Sequence, residues 1–125
     1  MTLIDSLQID KPHMTSDTTC EAVMHLDSFH SQPQGYLNGG ATLAFAEIVA
    51  GMMTNELIDE SKFGVGQSVT ANHLRLMKCE GELTARGTLL VKGKMSHVWR
   101  FDMLDDQERL ISQVTVTLAV VNFER

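Results

Sequence analysis

The sequence predicts an α+β protein in which an antiparallel sheet of about five strands wraps around one long central helix. Two observations carry that prediction. Residues 41–53 are apolar apart from Glu47 and contain no proline, while four segments between Gln67 and Val121 alternate apolar with polar residues and are joined mainly by tight turns. At 125 residues, 43% of them hydrophobic and 21% charged, the chain reads as one domain, 1–125, able to bury a core without disulfide staples.

Residues 1–16 carry Leu3, Ile4, Leu7 and Ile9 ahead of Lys11-Pro12, which fits a short helix packed on the body. Residues 17–28 alternate, with Cys20, Ala22, Met24 and Leu26 on one face, and form the first strand. A loop over 29–37 leads into the central helix, expected over about 40–58 and capped by Asn38 or a glycine. Ala44, Phe45, Ile48, Val49, Met52 and Met53 cover most of its circumference, as in a helix enclosed by other elements. Residues 59–66, polar and glycine-bearing, read as the loop out. Strands follow over 67–78, 82–92, 95–104 and 110–121, with Leu83, Ala85, Leu89 and Val91 on one face of the second of these and Trp99, Phe101 and Met103 on one face of the third.

Composition excludes several function classes. A net charge of −6, with unclustered Lys and Arg, argues against non-specific nucleic-acid binding. The uncharged runs beside Glu47 are shorter than the roughly 18 residues a membrane crossing needs, so no membrane span is expected. Without a basic, apolar leader the protein is expected in the cytoplasm, where Cys20 and Cys79 are reduced thiols. His13, His25, His30 and His97 form no metal-ligand pattern, so no metal is expected.

Glu47 is the odd residue of the central helix. A carboxylate in apolar surroundings is paired, for instance with Arg75 or His73, or neutral, or poised as a general base or nucleophile. Gly39-Gly40 at the helix start reads as a turn, or as first-turn N–H groups that bind an oxyanion at the positive end of the helix dipole. Gly39 and Glu47 are eight residues apart, about 12 Å along a helix, so they cannot both act on one carbonyl from the same chain. If both act, two chains build the site. His73, on a strand, is a hydrogen-bonded structural residue or a pocket residue, and adjacent Ser96-His97 point to opposite faces and make no nucleophile pair.

Three motifs, Gln32-Pro33-Gln34-Gly35, Leu37-Asn38-Gly39-Gly40 and Ala46-Glu47, stand in order ahead of Ala71-Asn72-His73-Leu74-Arg75. Together they resemble hotdog-fold acyl-CoA thioesterases of the branch that holds phenylacetyl-CoA, 4-hydroxybenzoyl-CoA and 1,4-dihydroxy-2-naphthoyl-CoA thioesterases. The resemblance implies a hotdog fold and hydrolysis of an aryl-, naphthoyl- or medium-chain acyl-CoA to free acid and CoA, with no metal or cofactor. It implies that Glu47 is the base or nucleophile, that the Gly39 N–H of the partner chain polarises the carbonyl, and that Gln32 orients the carbonyl or water. Asn38, Gly40, His73, Arg75 and Gly51 would then border the substrate, and a homodimer would be the minimum active unit, paired into a homotetramer.

Two departures from the family pattern stand out. Asn38 replaces a histidine and cannot carry a proton, and Gly51 stands where some relatives have serine or threonine. They motivate an alternative, a non-catalytic module binding acyl-CoA or an acyl-carrier protein. Arg75, Lys92 and Lys94 are candidates to meet the CoA phosphates, the two lysines being otherwise a solvated turn.

Overall fold

The computed structural model describes residues 1–123, so the last two residues of the expected domain lie outside it. Chain order is α1 (Leu3–Leu7), β1 (His13–Met14), β2 (Thr19–His25), a 3-10 turn (Ser28–His30), α2 (Gly39–Leu57), β3 (Lys62–His73), β4 (Glu82–Lys92), β5 (Ser96–Leu104) and β6 (Leu110–Asn122). The strands form one sheet in the order β1-β2-β4-β5-β6-β3, antiparallel throughout. The sheet curls around one side of α2, which leaves β3 as a long edge strand beside the helix.

Alternation in the strands becomes the core. Ala22, Met24, Leu83, Ala85, Trp99, Phe101, Met103, Val114 and Val116 turn inward onto Phe45, Ala46, Val49 and Met53 of α2, all buried. Val91, expected inside, is exposed because the β4–β5 register slips between Leu89 and Val91.

The expected sheet of about five strands gains a sixth, β1, whose two residues are too few to show alternation and are held by pairing with β2. Three expectations are corrected. The strand after the helix runs over Lys62–His73, not 67–78: Gly64 and Gly66, read as loop signals, are strand residues against which Thr54 and Glu47 of α2 pack closely. The first strand is shorter than expected, Thr19–His25, since Asp27 caps the 3-10 turn with its side chain accepting the Phe29 N–H at 2.8 Å. Within the single chain α2 is not enclosed. Thr42, Phe45, Ala46, Val49, Ala50, Met53 and Thr54 form a buried stripe at three- and four-residue spacing, while Leu43, Ala44, Ile48, Gly51 and Met52 are half-buried and Glu47 is exposed. Among the described residues no helix is long and apolar enough to cross a membrane.

Two polar links fix the helices. His30, fully buried, donates from Nε2 to the Leu7 carbonyl at 2.7 Å and accepts the Asp27 N–H on Nδ1 at 3.1 Å, which ties α1 to the 3-10 turn. Deeper in, the Trp99 indole N–H donates to Thr54 Oγ1 at 2.9 Å, leaving the Thr54 hydroxyl to donate to His97 Nδ1 at 3.0 Å. His97 is therefore read as neutral with its proton on Nε2, and burial, with Lys92 nearby, holds its pKa below the ordinary 6.5. Thr54→Val keeps the shape but strips both partners, so it should destabilise the fold by roughly 1–3 kcal/mol per unsatisfied group. Urea unfolding compared with the wild type checks this.

Candidate active site

The turn entering α2 is set by Gly35, whose φ of 92° favours glycine and whose N–H donates to the Gln32 carbonyl at 3.0 Å. Asn38 then caps the helix: its Oδ1 accepts the Gly40 N–H at 2.9 Å, which settles that Gly40 is not a free donor. The Gly39 N–H has no hydrogen-bond partner among the described residues and stands at the positive end of a 19-residue helix. Asn38 is thus spent on capping, and with Gly40 it opens toward α1 and Phe29 rather than toward Gln32.

Gly39 is also a packing requirement. A β-carbon there would stand 2.7 Å from Nε2 of His73, and the imidazole is held in place by a 2.8 Å hydrogen bond between Nδ1 and Ser112 Oγ on β6. Gln32, Gly39, His73 and Arg75 meet in a groove of about 190 Å³ at the N-terminal end of α2. The Gln32 side-chain amide is unpartnered among the described residues, so it is able to orient a ligand.

Glu47 and Gly51 lie elsewhere, on the wall of a second cavity of about 440 Å³ formed by α2, β3, β6 and the apolar side chains of α1. Ile48, Met52, Leu118, Leu3 and Ile4 make it aliphatic, and Asn55 is its second polar side chain besides Glu47. At Gly51 a β-carbon would meet nothing within 4 Å, so the missing side chain leaves the cavity open beside the carboxylate. Neither Arg75 nor His73 pairs with Glu47: His73 is engaged with Ser112, and no ion pair among the described residues involves Glu47. Of the alternatives the sequence left open, pairing with Arg75 or His73 is not realised: the carboxylate is exposed and unpaired among the described residues.

One chain thus carries the donor end and the carboxylate cavity as two separate features, set apart along α2 as the eight-residue spacing requires. Arg75 lies at the donor end, whereas Lys92 and Lys94 gather with Lys62 near Ile58 at the other end of the helix, so the three candidate phosphate contacts are not brought together on one chain. A further groove of about 400 Å³ beside Tyr36 and Lys78 holds none of the candidate residues; its Asp105 accepts from Arg109 Nε at 2.7 Å and is committed to its turn. Sequence reading missed Gly66, Ser112 and Asn55. For Gly66 a signal existed, since Gly64 and Gly66 alternate on one face of a strand and mark a close approach by another element.

Residues 34–112 match the model of the thioesterase superfamily. The chain belongs to that superfamily. Its fold is the hotdog fold, and this thioesterase superposes on the yhdA protein of Lactococcus lactis with a TM-score of 0.95 at 47% identity, covering 99% of this chain and 100% of that one. The thioesterase HI1161 of Haemophilus influenzae gives a TM-score of 0.89 at 31% identity over 98% of this chain and 84% of the other. A 1,4-dihydroxy-2-naphthoyl-CoA hydrolase of Escherichia coli is 30% identical over 119 residues, 95% of this chain and 86% of its own. The thioesterase is an enzyme that hydrolyses thioesters.

Proposed function

We propose that this thioesterase hydrolyses an acyl-CoA to the free acid and CoA at a site shared by two chains, without metal or cofactor. The observation that carries the reading is the division of the site: a free Gly39 N–H at one end and an unpaired Glu47 beside an apolar cavity on the other. A second copy brings the two together. The long unpaired edge of β3 and the half-buried apolar face of α2 offer the surface for that pairing, making a homodimer the minimum active unit, with two dimers pairing into a homotetramer.

In this arrangement the thioester carbonyl oxygen accepts from the partner's Gly39 N–H, where the helix dipole favours the negative charge that develops. Glu47, acting as base, takes a proton from water as the water oxygen attacks the carbonyl carbon; acting as nucleophile, it attacks that carbon itself, and water then opens the anhydride. In either route the C–S bond breaks and CoA leaves as the thiolate, which is then protonated. Gln32 orients the carbonyl or the water. Asn38 keeps the helix end in shape, so its replacement of a histidine leaves both the carboxylate and the donor in place.

The acyl group enters the aliphatic cavity beside Gly51, whose volume of about 440 Å³ is within the range of small-molecule sites. His73 and Arg75 border the CoA portion at the donor end. The name of the Escherichia coli relative supports putting a naphthoyl-CoA first among aryl and medium-chain candidates. The test is thiol release, followed with a thiol-reactive dye, from naphthoyl-, benzoyl-, phenylacetyl- and octanoyl-CoA. Turnover of at least one is expected; binding of a member with no CoA released from any would contradict the reading.

A further inference from the structure

Glu47 is exposed, and among the described residues neither a hydrogen bond nor an ion pair fixes its side chain. A free glutamate samples many rotamers, so a catalytic one needs something to hold it. What it touches is the backbone of β3. A β-carbon built at Gly66 would overlap Glu47 Oε2 and stand 2.9 Å from Cδ and 3.1 Å from Cγ, so the carboxyl group rests on a strand position from which any other side chain would push it aside. A left-handed backbone is not the requirement: the glycines with positive φ are Gly35 and Gly81, and Gly66 is not among them.

The strand is also irregular at this point. β3 pairs with β6 at Gly66↔Leu118 and resumes at Ser68↔Thr117, which leaves Gln67 as an extra residue beside the carboxylate. Such a bulge bends the strand and re-aims what lies against it. Leu118, the partner of Gly66, lines the same cavity as Glu47.

We propose that Gly66 is a positioning residue whose bare α-carbon, set by the bulge at Gln67, forms the seat that fixes the Glu47 carboxylate at the mouth of the acyl cavity. The proposal rests on the reading of Glu47 as the group that performs the chemistry. A side chain at 66 displaces the carboxylate, and displacement by about 1 Å is enough to cost up to roughly 100-fold in rate.

The experiment compares wild type, Gly66→Ala, Glu47→Asp and the double variant by kcat and KM on an acyl-CoA that the wild type turns over. Gly66→Ala should lower kcat by roughly 10- to 100-fold with KM within about twofold. In the Glu47→Asp background the overlap with Oε2 is removed while the contact at Cγ, 3.1 Å from the new β-carbon, remains, so the same substitution should cost clearly less than it does in the wild type. Equal losses in both backgrounds, or no loss in either, would overturn the proposal. Should Gly66→Ala weaken the fold, melting temperatures give the second measurement: the drop should vanish when Glu47→Ala is added, and a drop that persists would overturn the contact. Full activity of Glu47→Gln would sink the underlying reading and the proposal with it, whereas an inactive Glu47→Gln beside an unaffected Gly66→Ala would sink the proposal alone.

Discussion

Replacing Glu47 with Gln should lower kcat by roughly 100- to 10,000-fold, the range for losing a general base. The amide has the same shape and keeps a hydrogen-bonding oxygen, but it neither accepts the proton of an attacking water nor forms an acyl bond as a carboxylate does. At about 1.36 kcal/mol per tenfold, the loss is about 3–5.5 kcal/mol of transition-state stabilisation. KM should change little, since the cavity that would take the acyl group is aliphatic and its walls are untouched. The fold should also hold, because Glu47 is exposed and no ion pair among the described residues depends on it. Thiol release by wild type and variant, with the melting temperature of each, checks all three statements. A fall in kcat of less than about tenfold would move the base to another residue.

Much of this molecule could be read before any coordinates. Alternation in Trp99-Arg100-Phe101-Asp102-Met103 assigns the faces of β5 because a strand turns successive side chains to opposite sides, and the structure buries the three apolar residues fully. The eight-residue spacing of Gly39 and Glu47 was enough to keep the two in separate cavities, since helix rise is fixed whatever the surroundings. What escaped depends on contacts between distant segments. Gly64 and Gly66 look like loop residues until Thr54 and Glu47 are known to pack on them. Apolar residues all round α2 suggested a helix buried on every side, yet the chain covers only one stripe and leaves Ile48 and Met52 half-buried beside Glu47. Periodicity reports that a face is apolar; it does not report whether the same chain or another covers it.

Gly39→Pro should be almost as damaging as the loss of Glu47. Proline removes the N–H proposed to hold the oxyanion, and loss of such a donor costs roughly 100- to 1,000-fold in kcat. Its position suits the backbone: Gly39 is the first residue of α2, where proline is well tolerated, and Asn38 ahead of it has φ −72° and ψ 126°, the extended geometry that a residue preceding proline prefers. Gly39→Ala sets the same β-carbon against His73 but keeps the N–H, so it controls for that contact and should lose much less than the proline variant. Each inactive chain still carries the half-site that the other lacks. The most direct measurement is therefore the thioesterase rate of Glu47→Gln and Gly39→Pro chains co-expressed in equal amounts. Random pairing gives half mixed dimers with one intact site each, so activity should return to about a quarter of wild type per chain. If the mixture stays as inactive as either parent while the chains are shown to pair, the carboxylate and the donor do not meet across two chains.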